Sequence, residues 1–174
     1  MDLKSFLERD HTETLEKAEQ FQKLLLNLQY EGKASRGHNL KQIGEMLRFF
    51  KEEVGRHMRI EEKVEFPFLE TRLPRLEFLI ALLTAEHREF QRNIRTLQFL
   101  WAKLARNGGR RTHPQWIERF KGRAGYLTSL LQGHLQEESR ILYRLGDRLL
   151  HPDEKKALVR KIRMSKSKRS CSRG

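Results

Sequence analysis

Six residues carry the chemistry this sequence suggests. His11, His57, His87 and His134 each continue a run of apolar residues at intervals of three or four: Leu7 and Leu15 flank His11, Val54 precedes His57, Leu83 and Phe90 flank His87, and Leu127 and Leu131 precede His134. Glu61 and Glu138 follow His57 and His134 by four residues, which puts each carboxylate on the helix face of its histidine. One imidazole in an apolar stripe is ordinarily a hydrogen-bonded core residue. Four in one layer, with two carboxylates beside them, are not explained that way, because facing carboxylates in a core repel or take up a proton unless a cation lies between them. Neutral imidazoles and carboxylates together are donors that first-row transition metals favour. His38, His113 and His151 fall at breaks or helix starts and are expected off the core.

These residues need helices to hold them. Apolar residues recur at helical spacing along almost the whole chain, and no alternating strand pattern competes. Breaks are expected at "EGKASRG" (31–37), "TRLP" (71–74) and "NGGRRTHP" (107–114), with Pro67 ending or kinking the second helix. Short connections between long helices imply antiparallel neighbours. The expected fold is all-α, an up-down-up-down four-helix bundle over 1–148, followed at 149–174 by a short fifth helix from Pro152 and a basic, disordered C-terminal tail. In an antiparallel hairpin two residues are level when the turn lies midway between them. The midpoints of 11 and 57, of 57 and 87, and of 87 and 134 all fall inside the three breaks, so the four histidines form one layer.

Counting ligands points to two metal ions. Two histidines and one oxygen from each bridging glutamate give each ion four protein ligands, and an oxo or hydroxo bridge a fifth, which leaves an octahedral ion one open position. Such a position on a redox metal suits a diatomic ligand or peroxide. Both glutamates lie on one side of the histidine layer, so the ligand pocket is expected on the other, lined by Leu15, Glu53, Gln91 and Leu130.

Charge and cysteine content narrow the setting. The net charge of +13 is uneven: nine Lys and Arg and no acid lie from Lys155 onward, leaving 27 basic against 23 acidic residues elsewhere. The tail is therefore either a solubilising, solvated end or the place where an acidic partner or nucleic acid would be met, and no recognition-helix motif accompanies it. Cys171 is the single cysteine, which excludes an internal disulfide and a cysteine-based zinc site. With no apolar leader and no stretch of membrane-spanning length, a cytoplasmic location is expected.

"RDH" at His11, "RHMRIEEKVEFPFLE" at His57 and Glu61, "AEHREF" at His87 and "GHLQEESRILY" at His134 and Glu138 resemble, in order, the ligand segments of the hemerythrin-like, His-His-Glu cation-binding family. The resemblance covers residues 1 to about 148 and implies a non-haem centre of two iron ions in a four-helix bundle. Oxygen-carrying hemerythrins have a further histidine where this chain has Gln91, and an aspartate where it has the Glu138 arrangement. The four-His, two-Glu set is more similar to the di-iron domain of the repair-of-iron-centres proteins, which implies a role in oxidative or nitrosative stress. Those proteins carry a cysteine-containing segment before the bundle, and this chain opens directly on its first helix. Two functions follow as expectations: binding or reduction of dioxygen, nitric oxide or peroxide with the help of an electron donor, or a regulatory module that senses these ligands and acts through its basic tail. The residues leave enzyme, carrier and sensor open.

Overall fold

The computed structural model describes residues 3–30, 33–106 and 114–167. His113, the expected break at 107–114 up to Pro114, and the basic run 168–174 with Cys171 lie outside the described residues. Among the described residues the regular structure is helical and forms five helices. These are α1 (Leu3–Tyr30), α2 (33–72), α3 (Glu77–Ala105), α4 (114–149) and α5 (Pro152–Ser167). None is long and apolar enough to cross a membrane.

Local chemistry sets the joints. Between α2 and α3 the backbone leaves the helical region at Leu73, with φ −130° and ψ 68°, and Pro74 opens a single 3-10 turn that leads into α3. Leu73 N–H donates to the Leu69 carbonyl at 2.7 Å, and Leu76 N–H to the Leu73 carbonyl at 2.9 Å. The break thus falls where "TRLP" places it. Pro67, expected to end or kink α2, does not end it, and the helix runs on to Arg72. A π-helical turn at Glu61–Glu65 precedes it, so Pro67 sits in the first turn of a new α-helical stretch, where a missing N–H is tolerated. Two more π turns, at Phe50–Val54 and Glu138–Tyr143, widen α2 and α4.

α1 packs on α2 and α4, and α3 packs on the same two. α5 lies against α1 and α2 and buries Leu158, Val159 and Ile162. That apolar strip explains why the basic segment is helical as far as Ser167, a longer fifth helix than its charge suggested.

The core divides into two apolar clusters. One holds Leu25, Leu47, Phe90 and Leu131; the other holds Leu7, Leu69, Leu83 and Leu142. On every long helix the division falls at the same level, between 7 and 18, 58 and 60, 83 and 90, and 135 and 142. His11, His57, Glu61, His87, His134 and Glu138 stand at or beside that level. At the far end of the first cluster Trp101 lies across α2, donating from Nε1 to the Leu40 carbonyl at 2.7 Å. Gly44 permits this, since a Cβ there would lie 2.6 Å from the indole ring.

Candidate metal centre

The six residues predicted from spacing come together between α1, α2, α3 and α4. They form two overlapping groups, His11, His57, Glu61 and Glu138, and Glu61, His87, His134 and Glu138, in each of which the ligand atoms lie within 4.8 Å of one another. Nε2 of His11 is 3.3 Å from Nε2 of His57, and Nε2 of His87 is 3.1 Å from Nε2 of His134. The carboxylates span the two pairs. Glu61 sets Oε1 2.9 Å from His57 Nε2 and Oε2 3.4 Å from His87 Nε2. Glu138 sets Oε1 3.1 Å from His134 Nε2 and Oε2 3.3 Å from His11 Nε2. Each oxygen of each glutamate therefore faces a different histidine pair.

This donor set is one that could hold a metal ion. Glu61 Oε2 and both oxygens of Glu138 are buried without a hydrogen-bond partner, although nitrogens lie close by. Unmet carboxylate oxygens in a core are costly. Ligands about 2.1 Å from an ion at right angles to one another are about 3 Å apart, which is the spacing seen here.

The model of the Hemerythrin HHE cation binding domain matches residues 2–146. The chain belongs to this hemerythrin family. No curated protein matches it. Family membership and the two His/Glu groups together give a metal-binding site, and iron is the ion that the hemerythrin domain implies.

In this hemerythrin domain the outer nitrogens of the histidines are also engaged. His87 Nδ1 donates to Glu62 Oε1 at 2.9 Å and His134 Nδ1 to Glu86 Oε2 at 2.8 Å. His57 Nδ1 faces Asp10 at 3.8 Å, and His11 Nδ1 meets the Ser139 hydroxyl at 3.4 Å. A carboxylate can only accept, so it holds the proton on Nδ1 and leaves Nε2 as the ligand atom. The Phe66 ring stacks on His87, with centroids 5.6 Å apart, and fixes that imidazole from its flat side.

Two residues at the centre lay outside the sequence prediction. The buried Tyr143 hydroxyl donates to Glu61 Oε1 at 3.1 Å and lies 3.3 Å from His11 Nε2. Glu65, one turn after Glu61, is buried with Oε1 unpartnered. Spacing could have found Glu65, since it stands four residues beyond Glu61. The pocket residues are placed less closely. Leu15 and Leu130 pack at the edge of the apolar cluster away from the glutamates, Gln91 is half-buried on α3, and Glu53 pairs with Arg56 with 43% of its side chain exposed. His38 and His151 are exposed, as expected of residues off the core.

Electrostatics in the metal-free hemerythrin domain follow from burial and from the facing charges. Burial acts to lower the His134 pKa, but the Glu138 carboxylate more than reverses this and takes it from 6.5 to about 10. His57 is raised too, against burial, by Glu61. Burial works to raise Glu61, and His57 and His87 overcome it and bring it well down. Glu65 goes well up through burial and the charges of Glu61 and Glu138. Tyr143 is pushed well up by burial and the same carboxylates, which keeps its hydroxyl protonated.

A pH dependence follows. A histidine raised from 6.5 to about 10 stabilises the fold fully below 6.5, and that contribution is lost as pH rises through 10. The raised Glu65 acts in the same direction, and the lowered Glu61 contributes above the ordinary carboxylate range. The metal-free protein is therefore expected to be most stable between about pH 4.5 and 6.5, and its thermal midpoint to fall by several degrees by pH 9.5. Metal displaces these protons, so the loaded protein is expected to lack that decline. Differential scanning calorimetry of both forms across the range checks this. Parallel pH profiles would contradict it.

Proposed function

We propose that the chain is an up-down-up-down four-helix bundle holding two iron ions, and that it binds or reduces a small ligand, dioxygen, nitric oxide or peroxide, between them. The observation that carries this reading is the sharing of Glu61 and Glu138, whose four oxygens are divided between the His11/His57 pair and the His87/His134 pair. Iron held by His11, His57, His87, His134, Glu61 and Glu138 would supply the redox chemistry for a small molecule. The protein residues do the rest. Glu62 and Glu86 keep His87 and His134 in the ligating tautomer. Phe66, Met58, Phe90 and Leu135, all buried, keep bulk water from the layer. The Tyr143 hydroxyl is a protonated donor at the ligand atoms, and the buried Glu65 carboxyl, whose pKa burial raises, lies one turn beyond Glu61. His57, with 15% of its side chain exposed, is the ligand nearest solvent and marks the edge through which an electron donor would act.

Anaerobic loading of the full chain with ferrous iron, followed by spectra under nitric oxide and under air, tests the reading. A nitrosyl signal and oxidation of the iron pair are expected. Stable binding of one zinc ion with no response to either gas would overturn it. Tyr143→Phe and Gln91→Leu then separate the two faces of the layer. Tyr143→Phe is expected to retain its iron and change the oxidation rate several-fold, because it removes a donor without removing a ligand. If Gln91→Leu alone alters the rate, the ligand binds on the Leu15, Gln91 and Leu130 side.

One contact chain favours the regulatory reading, in which α5 and the basic segment contact an acidic partner or nucleic acid. Lys166 on α5 pairs with Asp10, which faces His57 Nδ1. Under that reading Lys166→Ala alters the response to nitric oxide while leaving iron content intact.

A further inference from the structure

Arg56, Arg59 and Lys63 occupy one stripe of α2, at spacings of three and four, and the stripe faces Ser165 and Lys166 near the end of α5. Together with Ile60 they line a narrow, mostly enclosed cleft of about 30 Å³. Four cations around one small space repel each other unless something neutralises them. Glu53 accounts for Arg56 and Asp10 for Lys166. Among the described residues Arg59 and Lys63 have no acidic partner. Arg59 Nε is, moreover, buried with no hydrogen-bond acceptor. A buried guanidinium donor without an acceptor is costly, and the protein supplies none.

We propose that this cleft binds a small oxyanion of the phosphate class. Guanidinium groups present planar, forked donors that match an ion with several oxygens, and the lysine ammonium adds charge where the cleft opens. The volume suits one such group and excludes a polypeptide segment. The cleft runs into a wider groove of about 540 Å³, which shares Lys63 and Ser165 and adds Phe68, Met164 and Lys161. A phosphate carried by an organic body therefore has room for that body, and free phosphate is held by the cleft alone. The site is distinct from the metal centre, although Arg59 and Ile60 directly precede Glu61.

Isothermal titration of the full iron-loaded chain with inorganic phosphate and with adenosine monophosphate, at low ionic strength, tests the proposal. The same titrations on the metal-free chain make the result independent of the proposed iron chemistry. One saturable site is expected, with sulfate competing. Arg59→Gln and Lys63→Gln are each expected to weaken it about tenfold, while Lys41→Gln, on a distant part of α2, leaves it unchanged. Lys63 is exposed, so its replacement does not endanger folding. Tighter binding of the nucleotide assigns the groove to an organic phosphate, and equal binding assigns the cleft to the free ion. Unsaturable binding, or equal losses in Lys63→Gln and Lys41→Gln, would overturn the proposal.

Discussion

Glu138→Gln is expected to strip the protein of nearly all its iron. Both oxygens of Glu138 are buried and unpartnered, and they face different histidine pairs. An amide offers one weak oxygen donor and turns an NH2 toward whatever the second oxygen served. It also removes one of the two buried carboxylates that would balance the charge of bound metal. Loss of an outer-sphere partner costs metal affinity roughly 10- to 100-fold, so loss of a shared anionic ligand is expected to cost more. Iron content after reconstitution, from about two per chain in the wild type to well below one, is the readout. A Glu138→Gln protein that keeps its full iron and the coupled-pair Mössbauer spectrum would remove the bridging role.

His134→Ala is expected to give a different stoichiometry. Its Nε2 belongs to the group with His87, and the His11 and His57 group keeps both glutamates. About one iron per chain should then remain, with the magnetic coupling of a pair abolished. His57→Ala is expected to mirror it and spare the other position. Replacing His38 or His151, both exposed, is expected to leave iron at the wild-type level, and so is replacing His113. Equal iron in His134→Ala and His151→Ala would rule out His134 as a ligand.

The contrast between what spacing predicted and what it missed has a geometric cause. His11, His57, His87 and His134 could be found because hairpin symmetry depends only on counting residues from a turn, and the "TRLP" turn lies where Pro74 places it. Glu61 and Glu138 could be found because four residues make about one α-helical turn. Tyr143 could not. At 100° per residue it stands roughly 140° around α4 from Glu138, which reads as another face. The turn from Glu138 to Tyr143 is π-helical, its bonds reach five residues, and it brings Tyr143 round to the ligand side. Nothing in the apolar periodicity announces that widening. Glu53 was the opposite case: its place in the stripe was legible, but Arg56, three residues on, holds it outward. The fifth helix was legible at Pro152, and its extent was not, because three buried apolar residues outweigh a run of like charges.

The layer of His and Glu side chains that separates the two apolar clusters is expected also to separate two cooperative units. Leu25 and Phe120 share one cluster, while Leu3, Leu69, Tyr143 and Ile162 share the other, and what joins them at the layer is a set of charged and imidazole groups. On that division, amide exchange near the α2–α3 joint and in α5 of the metal-free protein is expected to proceed by opening of that half alone. A bound ion with ligands from three helices is expected to tie the halves together, so that the smaller one exchanges only when the larger one does. Metal there would be as much the hinge pin of folding as the seat of chemistry.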